Sequence, residues 1–264
     1  MAPKLHYVNS ISASEKTVNK LLCLEVPVVG LTCKGINVGK KGTLTLIAVS
    51  TCEGDVYLFD TKAKPEIVLD GGLIRLLQSV EIVKVIHDCS QACANLHFSF
   101  GVTLKNYFDT QTAGSVILES IGLPPRRIAF DSLCKRYNID RYIPDPQLQS
   151  RIKSDMNYWG LRPVTKAMLN VAASEVLPLV PDLYDIIQQQ LSPEWLDWFD
   201  CRSEETRLMY ISPKKAKDIQ CSRVHHDNRD RRYLFQTPAP MMSRDNLPYV
   251  RDTVPDKHSL YDEV

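Results

Sequence analysis

The sequence has almost no net charge: 32 Lys and Arg stand against 31 Asp and Glu, a formal +1. That balance excludes a strongly basic nucleic-acid binder, and no global field draws the chain to a membrane. No apolar run nears the ~20 residues that a membrane-spanning helix needs. Met1 to Ser10 has no basic stretch leading into an apolar one, so it does not read as a secretory signal. No internal repeat is visible. The eight cysteines lack paired spacing and sit mostly singly in apolar segments such as Leu22-Cys23-Leu24. They read as buried, reduced thiols of a cytosolic protein. Cys89, Cys93 and His97 fall short of the four ligands that a closed zinc site requires. Neither metal nor cofactor is expected.

What is present is ample length for a large core. Val26 to Thr32 is a continuous apolar run, short enough for a buried central strand. The Gly39-Lys40-Lys41-Gly42 turn leads to Thr43 to Ser50, rich in β-branched residues. A second turn at Glu53-Gly54-Asp55 precedes Val56 to Asp60, so these three strands predict an antiparallel meander. Val83 to Ile86 and Leu104 to Phe108 add two short strands. Helices are predicted at Ser90 to Phe100, ended by Gly101, and from about Thr110 to Ser120. The remainder is helical, with Arg162 to Gln190 the longest stretch. That order predicts an α/β fold: a mixed five-stranded sheet flanked by helices, with a helical C-terminal half. Ser192-Pro193-Glu194 opens a further helix, whose Trp195, Trp198 and Phe199 share a face; the plain reading is docking on its own domain, the alternative docking to a partner. The expected division is an N-terminal extension over 1–23 with little periodicity, a domain over 24–200, and a basic, then proline-rich, extension over 201–264.

Charge is distributed unevenly. Residues 1–200 hold 20 basic and 21 acidic side chains, residues 202–232 nine and five, and residues 233–264 three and five. The basic excess lies just beyond the predicted domain.

Four segments carry a resemblance: VVGLTCK from Val28, KVIHDCSQACANL from Lys84, FDTQTA from Phe108, and Trp159-Gly160-Leu161-Arg162-Pro163. Together they resemble the DEDD 3′–5′ exonucleases, the RNase D-like group with an RNase H-like fold, over roughly residues 24–190. The likeness is greatest to the branch that works in piRNA biogenesis. The family's chemistry is two-metal phosphodiester hydrolysis, with two divalent cations about 3.5–4 Å apart. Such hard ions need carboxylate oxygens.

The resemblance implies four carboxylates and a tyrosine, and most are missing. The Asp-x-Glu motif falls on Thr32-Cys33-Lys34. The aspartate five residues after the motif histidine, His87, falls on Ala92. The Tyr-x-x-x-Asp motif reads Val171 to Glu175, so valine replaces tyrosine and Glu175 alone keeps a carboxylate. Asp88 and Asp109 match ordinary structural positions. Lys34 places an ammonium where a metal would sit, and electrostatics predicts that it approaches Glu175 or lies in the vestigial cleft; the plain reading is a solvated lysine at a strand end.

The resulting expectation is a catalytically inactive exonuclease-like protein of the cytoplasm, an RNA-binding adaptor in piRNA biogenesis. The resemblance implies single-stranded RNA, held with modest affinity, a Tudor-type protein of the same pathway, and a homodimer as its partners. Candidate RNA contacts in the body are Lys34, Lys40, Lys41, Arg126, Arg127, Trp159 and Arg162. Those in the basic extension are Lys214, Lys215, Arg229, Arg231 and Arg232. Trp159 and Arg162 also read as packing residues, and Lys40-Lys41 as a plain charged turn. The alternatives are a protein scaffold without RNA binding, and an enzyme recruiting Asp88, Glu53 or Asp60 as replacement ligands.

Overall fold

The computed structural model describes residues 3–234, with 224–234 as backbone alone. Six strands, not five, form one mixed sheet: β1 (Lys4–Val8), β2 (Val28–Ile36), β3 (Thr43–Thr51), β4 (Asp55–Phe59), β5 (Val83–Ile86) and β6 (Tyr107–Asp109), in the spatial order β1-β4-β3-β2-β5-β6. The predicted meander is β2–β3–β4, antiparallel throughout, while β5 and β6 add parallel strands beside β2. The last strand lies at Tyr107–Asp109, later than the Leu104–Phe108 expected.

The extra strand corrects the expected N-terminal extension. β1 pairs in parallel with β4, and helix α1 (Ile11–Leu22) buries Ser14, Val18 and Leu21 against the body. Residues 1–23 therefore contain part of the sheet and of the core. The boundary placed at 200 also moves, because one helix (α9, Leu196–Leu208) runs across it and the compact body extends to Arg223. The following helix, α10, spans Pro213–Leu234. The proline-rich segment lies outside the described residues from 235 onward.

Helices cover both faces. Helices α1, α2 (Leu73–Leu77) and α3 (Ser90–Phe100) pack on Val29, Leu31, Ile47 and Val49. Helices α4 (Thr110–Ser120), α5 (Phe130–Arg136), α7 (Lys166–Val176), α8 (Asp182–Gln190) and α9 cover Ala48, Leu58 and Val85 opposite. Helix α6 (Pro146–Ser154) buries none of its residues. Phe199 is buried in the second layer and Trp198 Nε1 donates to Glu119, so α9 docks on its own domain as predicted. Among the described residues no helix is long and apolar enough to cross a membrane.

Alternation along β2 sets the later site. Val29, Leu31 and Cys33 face the α1–α3 layer, where burial pushes the Cys33 thiol up to about 12. Gly30, Thr32 and Lys34 alternate to the α7 side. The β2–β3 register slips between Lys34 and Gly35, leaving Thr45 as an extra residue. The slip explains why Leu44 joins one core layer while Leu46, two residues on, joins the other. The bulge's polar groups are satisfied locally: Thr45 Oγ1 donates to Lys34 O at 3.2 Å, and Arg162 Nη2 donates to Thr45 O at 2.9 Å.

Arg162 also pairs with Asp60, which is fully buried and accepts from the Tyr7 hydroxyl and the Ala63 N–H. This triad ties edge strand β1 to the turn at Tyr158–Gly160. Burial alone would raise the Asp60 carboxyl, but the Arg162 guanidinium, the Tyr7 hydroxyl and the Ala63 amide outweigh it and hold it below the ordinary carboxylate value. A depressed folded value contributes stability that is present above the unfolded pKa and is lost as pH falls through the folded one. Asp60→Asn should cost about 3 kcal/mol in urea unfolding at neutral pH, since it leaves Arg162 without its counter-ion. The variant should also lose stability less steeply than the natural chain on acidification. An unchanged acid limb would contradict this assignment.

Candidate functional site

Gly30 lets α7 approach β2. A Cβ built there would meet Ser50 Oγ at 2.4 Å and the Val176 carbonyl oxygen at 2.7 Å, so only glycine fits. Ser50 Oγ donates to that same carbonyl at 2.9 Å. One residue before Val176, Glu175 is thereby brought over β2, where it forms a salt bridge with Lys34. The Lys34 ammonium also lies 5.1 Å from the centre of the Trp159 ring, a cation–π contact. The side chains of Lys34 and Glu175 are only 15% and 27% exposed, so the pair is mostly shielded from water.

Beside this pair opens a cavity of about 320 Å³, lined by Thr32, His87, Phe130, Asp131, Arg141 and Glu175 among others. His87 is fixed at both nitrogens: Nδ1 lies 2.9 Å from Thr110 Oγ1 and Nε2 3.0 Å from Ile128 O. Only a protonated Nε2 suits a carbonyl, so the ring is the Nε2–H tautomer with Nδ1 accepting from the hydroxyl. Burial pushes its pKa below the ordinary histidine value, in keeping with a neutral ring. Arg141 pairs with Asp131 and lies 5.4 Å from the Phe130 ring centre.

Ala92 is buried in α3 and Val171 in α7, both as packing residues. Asp109 caps α4 and accepts the Asp88 and Cys89 amides at 2.9 and 3.0 Å, holding Asp88 at φ +56°. Asp88 itself accepts from Ser90 Oγ and pairs with Arg127. Of the proposed replacement ligands, Asp60 and Asp88 are thus engaged elsewhere, and Glu53 follows β3 without lining the cavity. Among the described residues no three His, Cys, Asp or Glu side chains are grouped to hold a metal ion. The two-metal centre of the family does not fit the residues that line this cavity: its two carboxylates, Glu175 and Asp131, are each already paired with a cation.

The candidate RNA contacts separate into groups. Arg162 is a correction: its guanidinium is committed to Asp60 and to backbone carbonyls, and cannot also serve a phosphate. Trp159 is 8% exposed and roofs Lys34, so it is no open platform for a base. Lys40 and Lys41 are exposed, with Lys40 over the Phe98 ring at 5.1 Å. Arg126 and Arg127 are exposed on a strap pinned by buried side chains. Gln111 Nε2 and Ser115 Oγ both donate to Arg126 O at 3.1 Å, and Gln111 Oε1 accepts Ile128 N–H at 2.7 Å. Lys214 and Lys215 are exposed on α10. Arg223 in the same segment is buried, lying 4.3 Å from the Trp198 ring centre and paired with Glu205, so it serves docking. The side chains of Arg229, Arg231 and Arg232 lie outside those described. Sequence reasoning missed Arg141, Asp131 and Phe130. The only signal was a lone arginine between the apolar Ile139 and Ile143, which no charge count marks out.

The 3′-5′ exonuclease family profile matches residues 6–192. Among curated proteins, the chain is 28% identical over 191 residues to the Egalitarian protein homolog of Caenorhabditis elegans, covering 69% of this chain and 33% of that protein. It is 31% identical over 172 residues to the piRNA biogenesis protein EXD1 of Homo sapiens, covering 62% and 33%. The alignments thus span about a third of the length of these relatives. Among solved structures, Escherichia coli RNase D, an exoribonuclease involved in structured RNA processing, superposes with a TM-score of 0.62 at 16% identity, over 80% of this chain and 51% of that one.

A metal that binds the folded state raises Tm. Thermal unfolding in Mn²⁺ and in EDTA should therefore give the same Tm for the natural chain. Thr32→Asp, Lys34→Glu and Ala92→Asp together should make Tm metal-dependent. A Mn²⁺-induced rise in the natural chain would show a metal site that these residues do not supply.

Proposed function

The chain belongs to the 3′-5′ exonuclease family, and from that premise we propose that it holds single-stranded RNA without hydrolysing it. The observation that carries this reading is the Lys34–Glu175 ion pair, formed by residues that the motif resemblance assigns to the family's metal-binding positions. Two-metal hydrolysis places cations at the attacking and leaving oxygens. Here one tethered ammonium stands in their place. It can attract a phosphate, but it cannot lower the pKa of a water or present two coordination faces.

The likeness to the piRNA biogenesis protein EXD1 supports a place in piRNA biogenesis; a Tudor-type partner, self-association as a homodimer and a cytoplasmic location complete the proposal. RNA contact falls to the exposed cations: Lys40 and Lys41 on the β2–β3 turn, Arg126 and Arg127 on the pinned strap, and Lys214 and Lys215 on α10. Few phosphate contacts mean modest affinity and a shallow but definite salt dependence. One observation favours the scaffold reading instead: both cations at the cleft, Lys34 and Arg141, are already paired with carboxylates.

Incubation with short labelled single-stranded RNA and Mn²⁺, scored for cleavage and gel shift on the same samples, separates the readings. The expected result is a shift at low salt with full-length RNA recovered. Metal-dependent 3′–5′ shortening, abolished by Glu175→Ala, would establish an enzyme. Absence of any shift with self-association intact would establish the scaffold.

A further inference from the structure

The two ion pairs at the cleft differ in how they are built. Asp131 is 60% exposed, so water competes for its contact with Arg141 and that pair is weak. The Lys34–Glu175 pair is the more shielded, and its partners are held unequally. Lys34 sits on a central strand, its backbone carbonyl bonded by Thr45 and its ammonium against the Trp159 ring. Glu175 lies near the end of α7, and among the described residues its carboxylate makes no hydrogen bond except to Lys34. It is also the partner that lines the cavity, whereas Lys34 does not. An anion entering the cavity therefore meets two carboxylates, the Arg141 guanidinium that Asp131 already pairs, a neutral imidazole and a hydroxyl before it reaches the ammonium.

We propose that Glu175 is a latch, an intramolecular competitor that occupies Lys34 until a backbone phosphate of RNA displaces it. The inference rests on the reading of this cleft as an RNA site and adds its regulation. Lys34 stays in place while the Glu175 side chain rotates away, and the phosphate takes over the ammonium. RNA affinity is then set in part by an acidic residue that RNA does not contact favourably, and binding needs no divalent cation. Residues exchanging one anionic partner for another also explain how a cleft with balanced charge can accept a polyanion at all.

The test is fluorescence anisotropy with a labelled single-stranded oligouridylate in EDTA, over a series of salt concentrations. Glu175→Gln should tighten binding by about fivefold, the scale of freeing one partner of a partly shielded pair. Lys34→Met should weaken binding and reduce the magnitude of the salt slope by about 0.7, one phosphate contact on a single strand. In the Lys34→Met background, Glu175→Gln should have no further effect. Because a lone half-buried charge could destabilise a single variant, the double variant, which leaves no charge in the pair, serves as the folding control. Unchanged or weaker binding by Glu175→Gln overturns the latch, as does equal tightening with and without Lys34. If the natural chain and Glu175→Gln both fail to bind at low salt, the RNA reading itself falls. If the natural chain binds and Glu175→Gln matches it, only the latch falls.

Discussion

The contact on which the site depends is the close approach of β2 and α7 at Gly30. A hydrogen atom there, in place of a side chain, leaves the Val176 carbonyl free to accept from Ser50 and brings the last turn of α7 onto the sheet. Without that approach Glu175 would stand off from the strand, and neither its pair with Lys34 nor the cavity wall beside it would form. Backbone packing therefore precedes electrostatics in this molecule: the charges meet because a glycine lets the chain close.

Once closed, the cleft is a nearly neutral compartment. Two cations face two anions, and burial keeps the histidine neutral. A hydrolytic member of this fold family gathers negative charge so that metals can neutralise it. Here neutralisation is internal, supplied by side chains on the same chain. The exposed positive charge lies elsewhere, on the β2–β3 turn, the strap before α5 and the first turn of α10. A near-zero total charge and a capacity for weak anion binding are thus compatible, since the ion pairs remove most of the charge from view.

Much of this was legible in the sequence wherever structure is locally encoded. Helix α3 ends at Gly101 with φ +65°, and α4 begins at its Asp109 cap, so both have the predicted bounds. Lys34 and Glu175 were singled out through the family resemblance, and the charge argument put Lys34 against Glu175 or in the cleft around it. Strand β1 was not legible, because only Val8 of its five residues is buried and an edge strand shows no strong alternation. Helix α1 hides its core face behind Ser, Lys, Asn and Glu, with buried positions only at 14, 18 and 21. Arg162 with Asp60, and Arg141 with Asp131, were out of reach for another reason. Which anion a cation meets is decided by the fold, and Asp60 lies 102 residues from Arg162.

The parallel pairing of β1 with β4 has a consequence for how the chain acquires its structure. A polypeptide made from its N-terminus exposes residues 4–8 to solvent well before residues 55–59 exist. Through that interval β1 is a strand without a ladder, and α1 has only an unfinished core to pack on. The meander β2–β3–β4, joined by short turns, can assemble alone, and docking of β1 must follow it as a late, long-range step. The segment that emerges earlier is thus among the later parts to fold, and the short length of β1 keeps it harmless while it waits.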